Sequence, residues 1–444
     1  MINQRSIALA LSLLVSGCVS YGVAKNAPLG AAPATKSYSL EAWSQSALAR
    51  RSDVRTTMAF SGGGTRAAAF SYGVLKALRD TKVSIDGRPE RLLDTVDSIS
   101  SVSGGSFTAA YYGLHGERIF TDFETVFLKR DVEGALKAKL FNPFNWFRTS
   151  GRTEWAIEYY EENVFHGATF ADMVHENRPL IVINASDLGY GVRFSFLQES
   201  FDLLCSDLAS FPVARAVAAS SAVPVVFHPV VVRNYPDCGS EPPEWLAKMR
   251  QRVAGDERMT QMYEALTTYL DKDKRQYAHF VDGGITDNLG LLAAFDIIEA
   301  VGGAKAYVEK YGQLPPRRLV VIVVNSSTNP EPVMDASARQ PSLLETVNAM
   351  SDIQLHRYNT STIELMKQRL AKWSKELSTP DKPIAHYFIQ LSFRDVPTER
   401  RKFFNRITTS FALSDEQVDA LIAAGGELLR RNPEFQRLLA DLRG

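Results

Sequence analysis

From Val54 onward, short apolar runs rich in β-branched residues alternate with longer amphipathic stretches as far as Asn325. That alternation is what an α/β sheet requires, because each strand needs a crossover helix before the next parallel strand can form. The expected strands are Thr56–Phe60, Thr95–Val102, Leu180–Ala185, Val225–Val232, His279–Asp282 and Leu319–Asn325. The last of these, LVVIVVN, has no polar alternation and reads as a strand buried on both faces. Helices are expected at Ala67–Asp80, Ser106–Leu114, Ala209–Ala219, Leu291–Val301 and Leu343–Glu376. Further on, His386–Phe393 (HYFIQLSF) alternates like another strand, and Asp415–Arg431 is an amphipathic helix.

Two segments look inserted into this pattern. Asp131–Phe165 carries four large aromatics within Phe141–Phe147, a composition suited either to a cover over an apolar pocket or to plain packing against the body. Pro236–Gln276 is polar and mostly helical. With 444 residues, 45% of them hydrophobic, the chain can bury a large core as two or three domains or as one large α/β domain. Lys plus Arg and Asp plus Glu each number 50, so no general attraction to nucleic acid or to anionic surfaces is expected.

The N-terminus reads as a targeting signal. Ile7–Val15 is apolar apart from Ser12, too short to span a bilayer but suited to the core of an export signal. Val15-Ser16-Gly17-Cys18 then resembles the lipobox of bacterial lipoproteins, in which Cys18 becomes the acylated N-terminus. The resemblance implies a signal peptide over 1–17, a lipid-anchored cell-envelope protein and, with no acidic residue after Cys18, an outer-membrane position facing the periplasm. A plain cleaved signal is the alternative. Residues 18–52, rich in Ala, Pro, Ser and Gly, read as a tether. Cys205 and Cys238 would remain, free or paired. Neither CxxC nor HExxH occurs, so neither a metal nor a cofactor is expected.

Three motifs carry chemistry. Ser61-Gly62-Gly63-Gly64-Thr65-Arg66 lies between a strand and a helix, where glycines let backbone N–H groups face an anion. A purely structural turn would look the same, whereas a P-loop would need Gly-Lys-Ser/Thr, which is absent. Ser101-Val102-Ser103-Gly104-Gly105-Ser106 has the strand–turn–helix setting of a nucleophile elbow, with Ser101 in place of the first glycine of GxSxG. Val281-Asp282-Gly283-Gly284 places a carboxylate at a strand end, although many such aspartates only cap turns.

In this order, GGGTR, a serine elbow and DGG resemble the patatin-like phospholipases. Ala214–Phe227 (ARAVAASSAVPVVF) and Ile285–Leu291 (ITDNLGL) extend the likeness, which covers roughly Arg55 to Asn325. It implies a three-layer α/β fold with a central, mostly parallel sheet. It also implies a catalytic domain over 53–330, with 331–444 a mainly helical extension contributing one strand. By the same resemblance, Ser103 is the nucleophile of a lipid or ester acyl hydrolase and Asp282 its base. Gly62, Gly63, Gly64 and Gly104 would give N–H groups to the oxyanion, and Arg66 would steady that loop and add positive charge. Three alternatives stay open: a Ser–His–Asp triad using His356 or His386, an acyltransferase using the same acyl-enzyme, and a non-catalytic lipoprotein that keeps the fold.

Overall fold

The computed structural model describes residues 22–30, 37–46, 53–85, 87–141, 151–224, 226–236, 238, 241–253, 255–329 and 333–443. The leader, Cys18 and nearly all of the aromatic segment Phe141–Phe147 lie outside them.

Among the described residues the strands are β1 (Ala27–Pro28), β2 (Val54–Phe60), β3 (Lys82–Ile85), β4 (Arg88–Arg91), β5 (Val96–Val102) and β6 (Leu180–Asp187). The remainder are β7 (Arg193–Ser195), β8 (Ser206–Asp207), β9 (Val230–Arg233), β10 (Tyr277–Val281), β11 (Arg318–Asn325) and β12 (Ala385–Ser392). The main sheet runs β12-β11-β2-β5-β6-β10-β9, with β7 paired to β6. β12, β11, β2, β5 and β6 are parallel, whereas β10 is antiparallel to both β6 and β9. Helices cover both faces, so β11 is buried along Val320–Asn325, as its unbroken apolar run requires.

The strand expected over Val225–Val232 begins only at Val230. Pro224 cannot donate to a ladder, and Phe227 N–H instead turns back to the Val223 carbonyl at 3.0 Å. The helix expected from Ala209 starts at Val213, directly after Pro212. β10 ends at Val281, which leaves Asp282 just past the strand.

Part of the expected tether is not loose. Ala27 and Pro28 pair with Asp207 and Ser206, and Asn26 donates to Ser206 Oγ (2.9 Å) and the Arg233 carbonyl (2.8 Å) while accepting from Arg233 N–H (2.9 Å). Composition conceals this docking, because it depends on one asparagine meeting the end of β9. Close by, Cys205 and Cys238 are joined in a disulfide.

The C-terminal extension is built into the same body. β12 adds the edge strand, and the Asp415–Arg431 helix packs on the Gly64–Asp80 helix. Their backbones approach closely at Gly73 and Gly425. A Cβ on Gly73 would strike the Ile422 carbonyl, and one on Gly425 would lie 2.5 Å from the Phe70 carbonyl. Glycine is required at that crossing.

Candidate active site

Both glycine turns stand at the carboxyl ends of neighbouring parallel strands, β2 and β5, and each starts a helix: Gly64–Asp80 and Gly104–His115. Two helix N-termini therefore converge on one point, and their unpaired N–H groups favour negative charge there.

Ser103 sits between β5 and its helix at φ 51°, ψ −124°, a left-handed conformation that costs a non-glycine residue about 1–3 kcal/mol. Its hydroxyl does not cap the helix it precedes. The turn is held from outside: Ser103 N–H donates to Ser220 Oγ at 2.8 Å, and Ser220 Oγ donates to the Asn184 carbonyl at 2.6 Å. The Ser220 carbonyl accepts Gly283 N–H at 3.0 Å, so one buried residue braces both the serine turn and the aspartate turn. Sequence reasoning missed Ser220 as an individual residue; its only signal was membership of the Ala/Ser-rich helix.

Asp282 comes from the neighbouring region of the sheet. Its N–H is fixed by the Ala222 carbonyl at 3.0 Å, and its Oδ1 accepts Gly284 N–H at 2.7 Å. The Ser103 side chain lies close enough to the same carboxylate to favour its charged form. Only 8% of Asp282 and 4% of Ser103 is exposed, so the pair is nearly dry. Burial pushes the Asp282 carboxyl up to about 6, against the lowering effects of Gly284 and Ser103. The polar groups acting on it are the Gly284 N–H and the Ser103 side chain. His386 lies at the start of β12, the opposite end of the parallel strands from this site.

The glycine loop touches the serine turn directly. A Cβ on Gly62 would come 3.3 Å from Ser103 Cβ, and one on Gly104 would collide with the Gly64 backbone. Gly63 (φ 137°) and Gly64 (φ 59°) occupy conformations that favour glycine. The donors are not all free, however. Gly62 N–H is spent on the Asn288 carbonyl at 3.0 Å, and Thr65 N–H on the Ser410 carbonyl at 2.9 Å. This corrects the expected donor set: Gly62 shapes the loop, while Gly63 and Gly64 stand at the helix N-terminus beside Gly104. Asn288, within ITDNLGL, therefore ties the glycine loop to the segment that follows Asp282.

Arg66 is tied into the scaffold around the loop that it is expected to steady. It is buried and points into the scaffold, donating from Nε to the Ser326 carbonyl (2.9 Å), from Nη1 to the Ile407 carbonyl (2.6 Å) and from Nη2 to Thr409 Oγ1 (3.1 Å). Burial lowers its pKa to about 10, so it stays charged at neutral pH, but its directed hydrogen bonds steady the loop rather than reach for a ligand. Ser326 Oγ adds a bond to the Gly62 carbonyl at 2.7 Å.

Among the described residues there is no cluster of His, Cys, Asp and Glu that could hold a metal, and no helix long and apolar enough to cross a membrane.

Solved structures that resemble the chain include two of one human enzyme. Human GIVD cytosolic phospholipase A2 aligns over 87% of this chain and 62% of its own, at 11% identity and a TM-score of 0.42. The same human enzyme in complex with methyl gamma-linolenyl fluorophosphonate aligns over 87% and 59%, at 12% identity and a TM-score of 0.40. The chain thus spans about three fifths of the length of these neighbours. No curated protein sequence matches it. The sequence model of the patatin-like phospholipases matches residues 58–295, more than half of the chain and the span that carries both glycine turns and Asp282. The chain belongs to the patatin-like phospholipase family.

Proposed function

We propose that this protein is a serine lipid acyl hydrolase of the phospholipase A or lysophospholipase type, working with a Ser103–Asp282 dyad. The observation that carries this reading is the left-handed Ser103 turn beside the buried Asp282 carboxylate, whose pKa burial raises to about 6. In the first step Asp282 takes the Ser103 proton as Oγ attacks the ester carbonyl carbon. The developing oxyanion is met by the N–H groups of Gly63, Gly64 and Gly104, donors that are preorganised in a dry site. Collapse of the intermediate expels the alcohol, which takes the proton from Asp282 and leaves an acyl ester on Ser103. Water, deprotonated by Asp282, then releases the fatty acid by the reverse sequence. A base with a pKa near 6 is ionised at neutral pH yet keeps useful basicity. We further propose that Cys18 carries a lipid anchor and that the protein lies on the periplasmic side of the outer membrane.

A fluorophosphonate bearing an alkyl chain, followed by peptide mass analysis, tests the nucleophile. Modification is expected on Ser103; modification on Ser101 or Ser106 refutes the assignment. A panel of diacyl phospholipids, lysophospholipids and p-nitrophenyl esters defines the substrate, and release of free fatty acid in the presence of an acceptor alcohol separates hydrolysis from acyl transfer. Fractionation of cells producing the Cys18→Ser variant tests the anchor, which is expected to leave an unprocessed or soluble form.

A further inference from the structure

The N-terminal strap is fixed to the body immediately after the proposed anchor. Gly22 packs so closely on Val231 of β9 that a Cβ there would collide with it. The Val23 carbonyl accepts from the buried Arg215 at 3.0 Å, the Asn26 carbonyl accepts from Tyr235 Oη at 2.6 Å, and Leu29 N–H donates to the Cys205 carbonyl at 2.8 Å. Only Val19, Ser20 and Tyr21 separate Cys18 from Gly22. Fully extended, those four steps reach about 14 Å. An acyl group on Cys18 would therefore hold this edge of the sheet close to the bilayer.

The same edge carries the aspartate turn. Val231 pairs with His279, three residues before Asp282, and the His279 carbonyl accepts Leu188 N–H at 2.9 Å. Around these rungs stand exposed apolar side chains: Leu188 (56%), Val226 (51%) and Ile285 (55%). Val226 lies four residues after Ala222, which holds Asp282 N–H, and Ile285 N–H itself donates to the Asp282 carbonyl. Apolar groups exposed on several segments around one functional turn mark a contact surface.

We propose that the short leash and docked strap press the face bearing Leu188, Val226 and Ile285 onto the leaflet that holds the Cys18 acyl chains, so that the site draws its lipid from that leaflet. The inference rests on the proposed lipid anchor and on the hydrolase reading. Buried methylenes of the anchor supply membrane affinity, and the rim supplies orientation.

With Cys18 acylated and Cys205 bonded to Cys238, one introduced cysteine gives a single labelling site. The full-length acylated chain carrying Ile285→Cys, Leu188→Cys or Leu314→Cys is labelled with NBD and placed in phosphatidylethanolamine–phosphatidylglycerol vesicles containing doxyl lipid. Leu314 is equally exposed but precedes β11 at the far end of the parallel strands. Labels at Ile285 and Leu188 are expected to shift to the blue and to be quenched at least about twofold more than the label at Leu314. Inserting about twenty Gly/Ser residues between Tyr21 and Gly22, a leash averaging roughly 25 Å, should erase that difference while p-nitrophenyl butyrate turnover is unchanged. Equal quenching at all three sites overturns the orientation, and quenching at Ile285 that survives the insertion overturns the leash as its cause. Vesicle flotation and the mass of the N-terminal peptide report the anchor separately: an unacylated Cys18 overturns both anchor and orientation. Fluorophosphonate labelling of Ser103 reports the hydrolase reading independently of either result.

Discussion

The serine turn and the glycine loop lie side by side, yet they are held in opposite ways. The serine turn is braced from the middle of the chain: Ser220 takes its N–H and passes a bond to Asn184 on the adjacent β6. The glycine loop is braced mostly from the far end, by Ser326 after β11 and by Ile407, Thr409 and Ser410 of the C-terminal extension. Strain is concentrated in the first, where a serine takes a left-handed conformation. In the second the left-handed positions are glycines, and the cost is instead a buried arginine that needs several carbonyl and hydroxyl partners. The proposed nucleophile is thus placed by contacts within the middle of the chain, and the proposed anion donors by contacts that close only when the whole domain has folded.

The largest effect is expected at the serine turn. Ser103→Gly should lower ester hydrolysis by roughly 10⁴–10⁶-fold, as loss of a nucleophile does. It should also raise the thermal midpoint, because glycine relieves a conformation worth about 1–3 kcal/mol to a serine. A midpoint that falls would show that the turn is not under strain.

Asp282→Asn should cost about 10²–10⁴-fold in kcat, the usual worth of general-base assistance. In the wild type, kcat/KM should fall tenfold per pH unit below about 6, the pKa to which burial raises this carboxyl. Stability runs the other way. The folded pKa lies above the ordinary value of 3.8, so between about pH 4 and 6 the folded state binds more protons than the unfolded state. This group's contribution is therefore most favourable at low pH and is lost as pH rises through about 6. The asparagine variant should melt higher than wild type at pH 8, with the gap closing near pH 4. An acid limb centred near 4 and no stability gap would place the base elsewhere.

Arg66 distinguishes bracing from charge. Arg66→Lys keeps the cation but cannot reproduce three divergent bonds from one planar group. We expect both Lys and Ala variants to lose about 10–100-fold in kcat, with KM little changed, because a donor displaced by about 1 Å costs that much. Both should melt lower than wild type, in contrast to Ser103→Gly. Near-normal turnover in the lysine variant would return Arg66 to the role of a bare positive charge.

The smallest effects are expected at His356→Ala and His386→Ala, which should leave turnover within about twofold of wild type if the dyad needs no third member. A drop of about a thousandfold in either would reinstate a histidine as the base.

Much of this arrangement was legible in the sequence. Regions such as Leu319–Asn325 read correctly because a strand buried on both faces has to be apolar throughout. Ser103 and Asp282 stand out in the sequence as site candidates because a turn after a strand needs small residues beside the group it presents. The strand at Val225 read wrongly because apolar content alone does not register the break at Pro224. Gly62 was grouped with the donors because its N–H is indistinguishable in sequence from those of Gly63 and Gly64. Only the approach of Asn288, 226 positions later by the numbering, commits it.

The sequence by itself determined the succession of strands and helices and the two glycine turns, since each depends on backbone preferences spanning a few residues. Only the tertiary structure decided that Ser103 lies beside Asp282, that Gly62 N–H is bonded, where Arg66 points, how Ser220 braces both turns, and that Asn26–Pro28 dock on β8 and β9. The physical reason is the same in each case. A hydrogen-bond donor has one proton to give, and whether a distant carbonyl takes it is settled only when the fold brings that carbonyl to about 3 Å.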